Sequence, residues 1–129
     1  MILDTNFIID LLNGKKEAVF MMRELIQREK EVAISSPTLF ELWSGLIVLK
    51  KSDEEKNKVR EFLKGQILYA FDERSAEVAG VVHGDLIQKG LEINPVDAMI
   101  AGIALQNHQM ILTRDKHFTR VEGLKIVSY

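Results

Sequence analysis

Cysteine is absent from the 129 residues, and there are only two prolines, one tryptophan and two tyrosines. Without thiols there is no disulfide framework, no thiol nucleophile and no Cys-ligated zinc or iron–sulfur site. Long apolar runs are missing too: the longest uncharged one, Ala98 to Leu105, falls far short of the ~18–20 residues that span a bilayer. Neither charge sign dominates. Lys plus Arg number 17 and Asp plus Glu 19, a net charge of −2, which excludes a strongly basic nucleic-acid coat but leaves room for a local basic patch. The opening residues, Met1 to Asn6, carry no basic region, and Asp4 interrupts their apolar run, so no export signal is read and a soluble cytoplasmic protein without a membrane partner is expected.

What is present is ordinary globular material, 47% apolar and 28% charged. No repeat, low-complexity tract or Gly/Ser-rich linker divides the chain, so its length predicts one domain over residues 1–129. Size scaling gives a folded surface of roughly 7,000 Å² against ~21,000 Å² unfolded, enough burial for a real core.

Strand-like and helix-like segments alternate. Met1–Leu3 reads as a short buried strand, followed by a helix capped by Thr5 or Asn6 and running through Leu12 to the stop at Asn13-Gly14. A second helix spans about Lys15 to Lys30, with Ala18, Val19, Met22, Leu25 and Ile26 at helical spacing. Val32–Ser35 is a strand, and Ser36-Pro37 supplies a cap and an N1 proline for a helix to about Leu49. Ser52 and Glu55 make a capping box for a charged helix through Lys64. Gln66–Phe71 is a third strand, Asp72 caps a helix to about Lys89, and Asn94-Pro95 starts another through Asn107. Met110–Thr113 and Leu124–Val127 complete five strands. This alternation predicts an α/β fold, a three-layer α/β/α sandwich with a five-stranded, mainly parallel sheet.

The placement of acids is the informative feature. Asp4 is the only charged residue in Met1–Ile9, Glu41 the only one in Pro37–Leu49, and Asp97 the only one between Ile93 and Thr113, counting His as neutral. Each sits in an apolar segment with no local Lys or Arg. In a parallel sheet, Asp4 follows strand one, Glu41 lies in the second turn after strand two, Asp97 opens the helix leading into strand four, and Asp115 follows that strand. All four are therefore expected at the carboxyl edge, where open α/β sheets bind ligands. Carboxylates ~5 Å apart repel by about 3 kcal/mol per pair at an effective dielectric of 20, so protons or a cation must relieve them. An all-oxygen donor set favours Mg²⁺ or Mn²⁺ over zinc. Such an ion suits metal-assisted phosphodiester hydrolysis.

Four motifs carry these acids in order: Leu3-Asp4-Thr5-Asn6, Glu41-Leu42-Trp43-Ser44-Gly45, Asp97-Ala98-Met99-Ile100-Ala101-Gly102 and Thr113-Arg114-Asp115-Lys116-His117-Phe118. In these the chain resembles the PIN-domain nucleases, most closely the VapC-type toxins of toxin–antitoxin pairs. The resemblance implies a Mg²⁺- or Mn²⁺-dependent endoribonuclease, inhibited by a cognate antitoxin protein and assembling as a homodimer or higher oligomer. Carried over residue by residue, Asp4 and Asp97 would be the main metal ligands, with Glu41 and Asp115 completing the catalytic acid set. Thr5, Asn6 and Thr113 would be supporting hydrogen-bonding groups.

Other readings of the same residues exist. Asp4 and Asp97 each suit a helix cap, Asp115 a cap for the turn Lys116–Phe118, and Glu41 a lone acid satisfied by backbone donors. Asp72, Thr113 and Lys125 could be cast as a phospho-accepting receiver-type signalling module. An aspartate-nucleophile phosphatase would use Asp4, but Asn6 stands where its general acid belongs. His83, His108 and His117 are isolated and read as structural. Arg114 and Lys116 flank Asp115 and are candidates for contacting RNA phosphates, whereas Gly14-Lys15-Lys16 reads as a turn followed by surface charge. Phe20 and Met21 lie off their helix's apolar stripe, and the Leu39–Leu49 helix is apolar nearly all round. That pattern means either deep burial or a partner surface.

Overall fold

The computed structural model describes residues 1–129, and its five strands pair in the order β3-β2-β1-β4-β5 with every pair parallel. The strands are β1 (Ile2–Leu3), β2 (Ala33–Ser35), β3 (Ile67–Tyr69), β4 (Ile111–Leu112) and β5 (Ile126–Val127). Between them run α1 (Thr5–Leu12), α2 (Lys16–Gln27), α3 (Ser36–Val48), α4 (Asp53–Leu63), α5 (Glu73–Gln88) and α6 (Pro95–Gln106), and a short 3₁₀ turn covers Lys116–Arg120. The strands are shorter than the apolar segments suggest, since ladder pairing covers only two or three residues of each. The capping box at Ser52 and Glu55 forms as the sequence predicts.

Alternation along two-residue strands sorts the core into two layers. Ile2 and Ile111 face one side, packing with Leu86 of α5, with Ile100 and Ile103 of α6, and with Phe118. Leu3, Ile34 and Leu112 face the other, against Phe7 and Ile8 of α1, Ala18 and Leu25 of α2, and Leu42 of α3. Helices thus cover both faces, as the predicted three-layer sandwich requires.

Two local expectations change, and a third point left open is decided. The cap of α1 is Asp4, whose carboxylate accepts from Thr5 N, rather than Thr5 or Asn6. Ser35, not Ser36, occupies the cap position of α3, because the Ser36 hydroxyl is engaged by Phe71 N at 2.9 Å just beyond β3. Third, α3 is not deeply buried: Phe40 is 67% and Val48 73% exposed, with Ile47 and Leu49 similarly bare. Its apolar circumference is therefore half core and half open surface. Phe20 and Ile26 of α2 are also exposed.

The order of strands has a consequence for function. From β1 the chain winds outward to β2 and β3, and from β4 it winds the opposite way to β5. The crevice between the carboxyl ends of β1 and β4 is the topological switch point, where connections leave in opposite directions and a ligand can enter. No helix is long and apolar enough to cross a membrane.

The tightest helix contact is between α5 and α6. A Cβ added at Gly102 would lie 2.6 Å from Ala79 Cβ and 2.7 Å from Ala79 N, so the two helices approach only because residue 102 has no side chain. Gly102→Ala should therefore cost about 1–3 kcal/mol, lowering the melting temperature by several degrees. Gly84→Ala, which faces open space in α5, should be neutral or stabilising. Thermal unfolding followed by circular dichroism checks both, and equal melting of Gly102→Ala and wild type would refute the close approach.

Candidate active site at the carboxyl edge

Asp4 stands at the switch point, 2% exposed, where β1 turns into α1. Its Oδ1 accepts from Thr5 N at 2.8 Å, and its Oδ2 accepts from Thr113 Oγ1 at 2.7 Å. Thr113 in turn accepts from Asp115 N at 2.9 Å, so the end of β4 is tied to the end of β1 and the turn bearing the fourth acid is set beside them. On the other flank, Thr5 Oγ1 donates to Glu41 Oε1 at 2.7 Å. Thr5 and Thr38 hydroxyl oxygens are 3.1 Å apart, as are those of Thr38 and Ser35. One proton per hydroxyl allows a single directed chain, Ser35 to Thr38 to Thr5 to the Glu41 carboxylate. Thr38 and Ser35 are fully buried.

Asp97, in the first turn of α6, completes the group through charge alone, since no hydrogen bond or ion pair engages its side chain. Burial, and then the neighbouring charges of Asp4, Glu41 and Asp115, push its carboxyl up to about 7. Burial likewise pushes Asp4 up to about 6. The Thr113 and Thr5 hydrogen bonds oppose that rise, and the Glu41 and Asp115 charges add to it. No Lys or Arg pairs with any of the four acids; the one imidazole beside them is that of His117, whose Nδ1 is 3.2 Å from Asp115 Oδ1. Asp115 also caps the 3₁₀ turn by accepting from His117 N, so its capping and site positions coincide.

The donor chemistry fits a hard divalent cation: several carboxylate oxygens, no nitrogen or sulfur ligand within the set, and unrelieved negative charge. Nevertheless, no three His, Asp or Glu side chains stand at the spacing of a ready-made cage. Threonine hydroxyls occupy one oxygen each of Asp4 and Glu41. Asp4 and Asp97, with Glu41 and Asp115 around them, are the groups that would hold such an ion with water filling the remaining positions.

Of the supporting residues read from sequence, Thr5 and Thr113 join the network, whereas the Asn6 side chain is exposed and bonds to none of the acids. Arg114 is turned toward Asp10, with Nε 3.3 Å from Oδ2, and Lys116 is exposed and unpaired. Ser35, Thr38 and Asp10 were not anticipated. A signal for the first two exists: Ser35, Thr38 and Glu41 recur every third residue and so share one helix face. The receiver-type grouping does not form, because Asp72 follows β3 at one border of the sheet and Lys125 precedes β5 at the other.

The PIN domain profile matches residues 1–124. The chain belongs to the PIN-domain family. A ribonuclease VapC2 from Rickettsia felis is 30% identical over 123 residues, covering 95% of this chain and 92% of that protein. A tRNA(fMet)-specific endonuclease VapC from Salmonella typhimurium is 29% identical, covering 96% and 93%. Among solved structures, VapBC2 from Rickettsia felis bound to a promoter DNA fragment superposes with a TM-score of 0.88 at 28% identity, over 99% of this chain and 97% of that one. The PIN-domain architecture thus spans the switch-point crevice and all four acid-bearing motifs.

Raised carboxyl pKa values have a signed consequence for this PIN domain. Asp4 and Asp97 bind protons more readily folded than unfolded, so their contribution to stability is complete below pH ~4 and is lost as pH climbs through 6 and 7. Without divalent metal, the wild type should lose stability between pH 5 and 8. Asp97→Asn, which cannot ionise, should retain about 1–2 kcal/mol more at pH 8, after allowance for solvent screening. Adding Mn²⁺ at pH 8 should raise the melting temperature of the wild type and barely that of the variant. A metal-free Asp97→Asn protein with an unchanged pH profile would contradict the assignment.

Proposed function

We propose that this PIN domain is a divalent-metal-dependent endoribonuclease, the toxin of a toxin–antitoxin pair, which hydrolyses RNA phosphodiester bonds to 3′-hydroxyl and 5′-phosphate ends. The observation that carries this reading is a group of four acids at the switch-point crevice with no Lys or Arg to neutralise them, two of them holding protons to about pH 6 and 7. A bound Mg²⁺ or Mn²⁺ supplies charge for the phosphoryl oxygens and lowers the pKa of water. Asp4 is locked by two hydrogen bonds and can turn its remaining lone pairs to the ion without rotating. Glu41 gives one oxygen to Thr5, which leaves Oε2 to accept a hydrogen bond from the attacking water and orient it. Asp97, unbonded, is free to close on the ion. Asp115 rides on a turn held by Thr113 and can take a water-mediated place.

The partner proteins in the pairs of similar structure support a cognate antitoxin for this chain. So does its surface. A groove of about 180 Å³ between α1, α3 and α4 is lined by Ile9, Leu12, Leu42, Leu46 and Val59 among others, and the outer face of α3 continues it. The accessible surface of 7952 Å² also exceeds the roughly 7,000 Å² typical of a lone domain of this mass. A homodimer or higher oligomer would cover the remaining apolar faces.

Cleavage of a mixed RNA pool, with Mn²⁺ or with chelator, tests the activity. The wild type should cut only with metal, leaving ends that a ligase needing 5′-phosphate accepts, and Asp4→Asn and Asp97→Asn should each lose at least about a hundredfold. Cuts that persist in chelator, or in either variant, would overturn the reading.

A further inference from the structure

Asp10 is a second buried acid, 2% exposed, on α1 six residues beyond Asp4. Unlike the acids at the crevice it is fully engaged. Oδ1 lies 3.0 Å from Lys15 Nζ, while Oδ2 accepts from Tyr129 Oη at 2.7 Å and lies 3.3 Å from Arg114 Nε. Burial pushes its carboxyl up, but the Tyr129 hydroxyl, Lys15 and Arg114 outweigh that and hold it below the usual range, so it stays charged. Tyr129 is itself seated, its ring edge-on to Phe7 at 4.8 Å.

The two cations do more than neutralise Asp10. Lys15 and Arg114 side chains are 50% and 49% exposed, and no other acid engages them. Each pairs with Asp10 by charge, at 3.0 and 3.3 Å, which leaves ammonium protons and the outer guanidinium edge for a ligand. Lys15 and Arg114 against Asp10 leave one positive charge over, and Glu17 on the rim of the same cleft balances it, so what faces outward is two half-exposed cation heads rather than a net charge. Both cations line a cleft of about 240 Å³ with Tyr129 and Glu17. Six residues of helix separate Asp10 from Asp4, ~9 Å along the axis, and Arg114 directly follows the threonine that holds Asp4. A strand lying across the acids therefore passes this cleft within a few nucleotides.

We infer that Lys15 and Arg114, clamped on Asp10, form a subsite for a backbone phosphate of the RNA strand, with Asp10 and Tyr129 as positioning residues. The subsite rests on the ribonuclease reading and explains how an acidic crevice in a protein of net charge −2 can retain a polyanion. A paired, pre-oriented guanidinium also loses less conformational freedom on binding than a loose surface arginine.

The test is fluorescence anisotropy of a fully 2′-O-methylated oligoribonucleotide across a salt series in chelator, which withholds the metal while the methyl groups block attack by a 2′-hydroxyl. Lys15→Gln and Arg114→Gln should each weaken binding about three- to tenfold and flatten the log–log salt slope by ~0.7. Glu17→Gln, which removes a carboxylate from the cleft rim, should tighten it. In an Asp10→Asn background the Arg114→Gln penalty should shrink by at least half, a coupling that a merely fold-stabilising Asp10 would not produce. Wild-type affinity and slope in both cation variants would overturn the subsite, as would an Arg114→Gln penalty equal in the two backgrounds. Because binding is measured without metal and without a free 2′-hydroxyl, these outcomes are read whether or not the wild type cuts RNA with Mn²⁺, so the two readings fail separately.

Discussion

The hydrogen bond from Thr113 to Asp4 spans the two central strands where their connections diverge, and the rest of the site depends on it. Through Thr113 the end of β4 is fixed against the end of β1, and the turn carrying Asp115 follows. A hydroxyl is suited to this post. A lysine or arginine would bind Asp4 more strongly, but it would cancel the charge that the crevice needs. Thr113 and Thr5 orient carboxylates while leaving their charge nearly intact, so repulsion among the acids is preserved for a cation to relieve.

Two acids on one short helix illustrate how surroundings assign roles. Asp4 and Asp10 are equally buried, yet burial and neighbouring acids raise Asp4, while a tyrosine hydroxyl and two cations depress Asp10. The first holds its proton up to about pH 6. The second is held in its charged form by its partners. An acid without a cation at the start of α1 and an acid paired with two cations near its end give the molecule an internal polarity that its overall charge conceals.

Much of the fold was legible because apolar periodicity and caps are local properties. The strand and helix order, the capping box at Ser52 and the parallel sheet followed from them. Less legible were features in which one residue answers to a distant one. Ser36 looked like a helix cap beside Pro37, but its hydroxyl is engaged by Phe71 across the sheet border. Likewise, an all-apolar α3 suits either a buried or a docking helix, and only the packing around it exposes Phe40 and Val48.

The acid set was visible in the chain because ionisable groups are rare in apolar segments, where an unpaired charge costs several kcal/mol unless it has a use. Their residue types and order along the chain, which need no coordinates, were enough to nominate Asp4, Glu41, Asp97 and Asp115. Tertiary structure alone decided which groups would touch them. Asn6 points away while Ser35 and Thr38 feed a hydroxyl chain to Glu41, and Lys15 and Arg114, 99 positions apart, meet on Asp10. Hydrogen bonds and ion pairs act over about 3 Å of space, a distance that sequence separation does not encode.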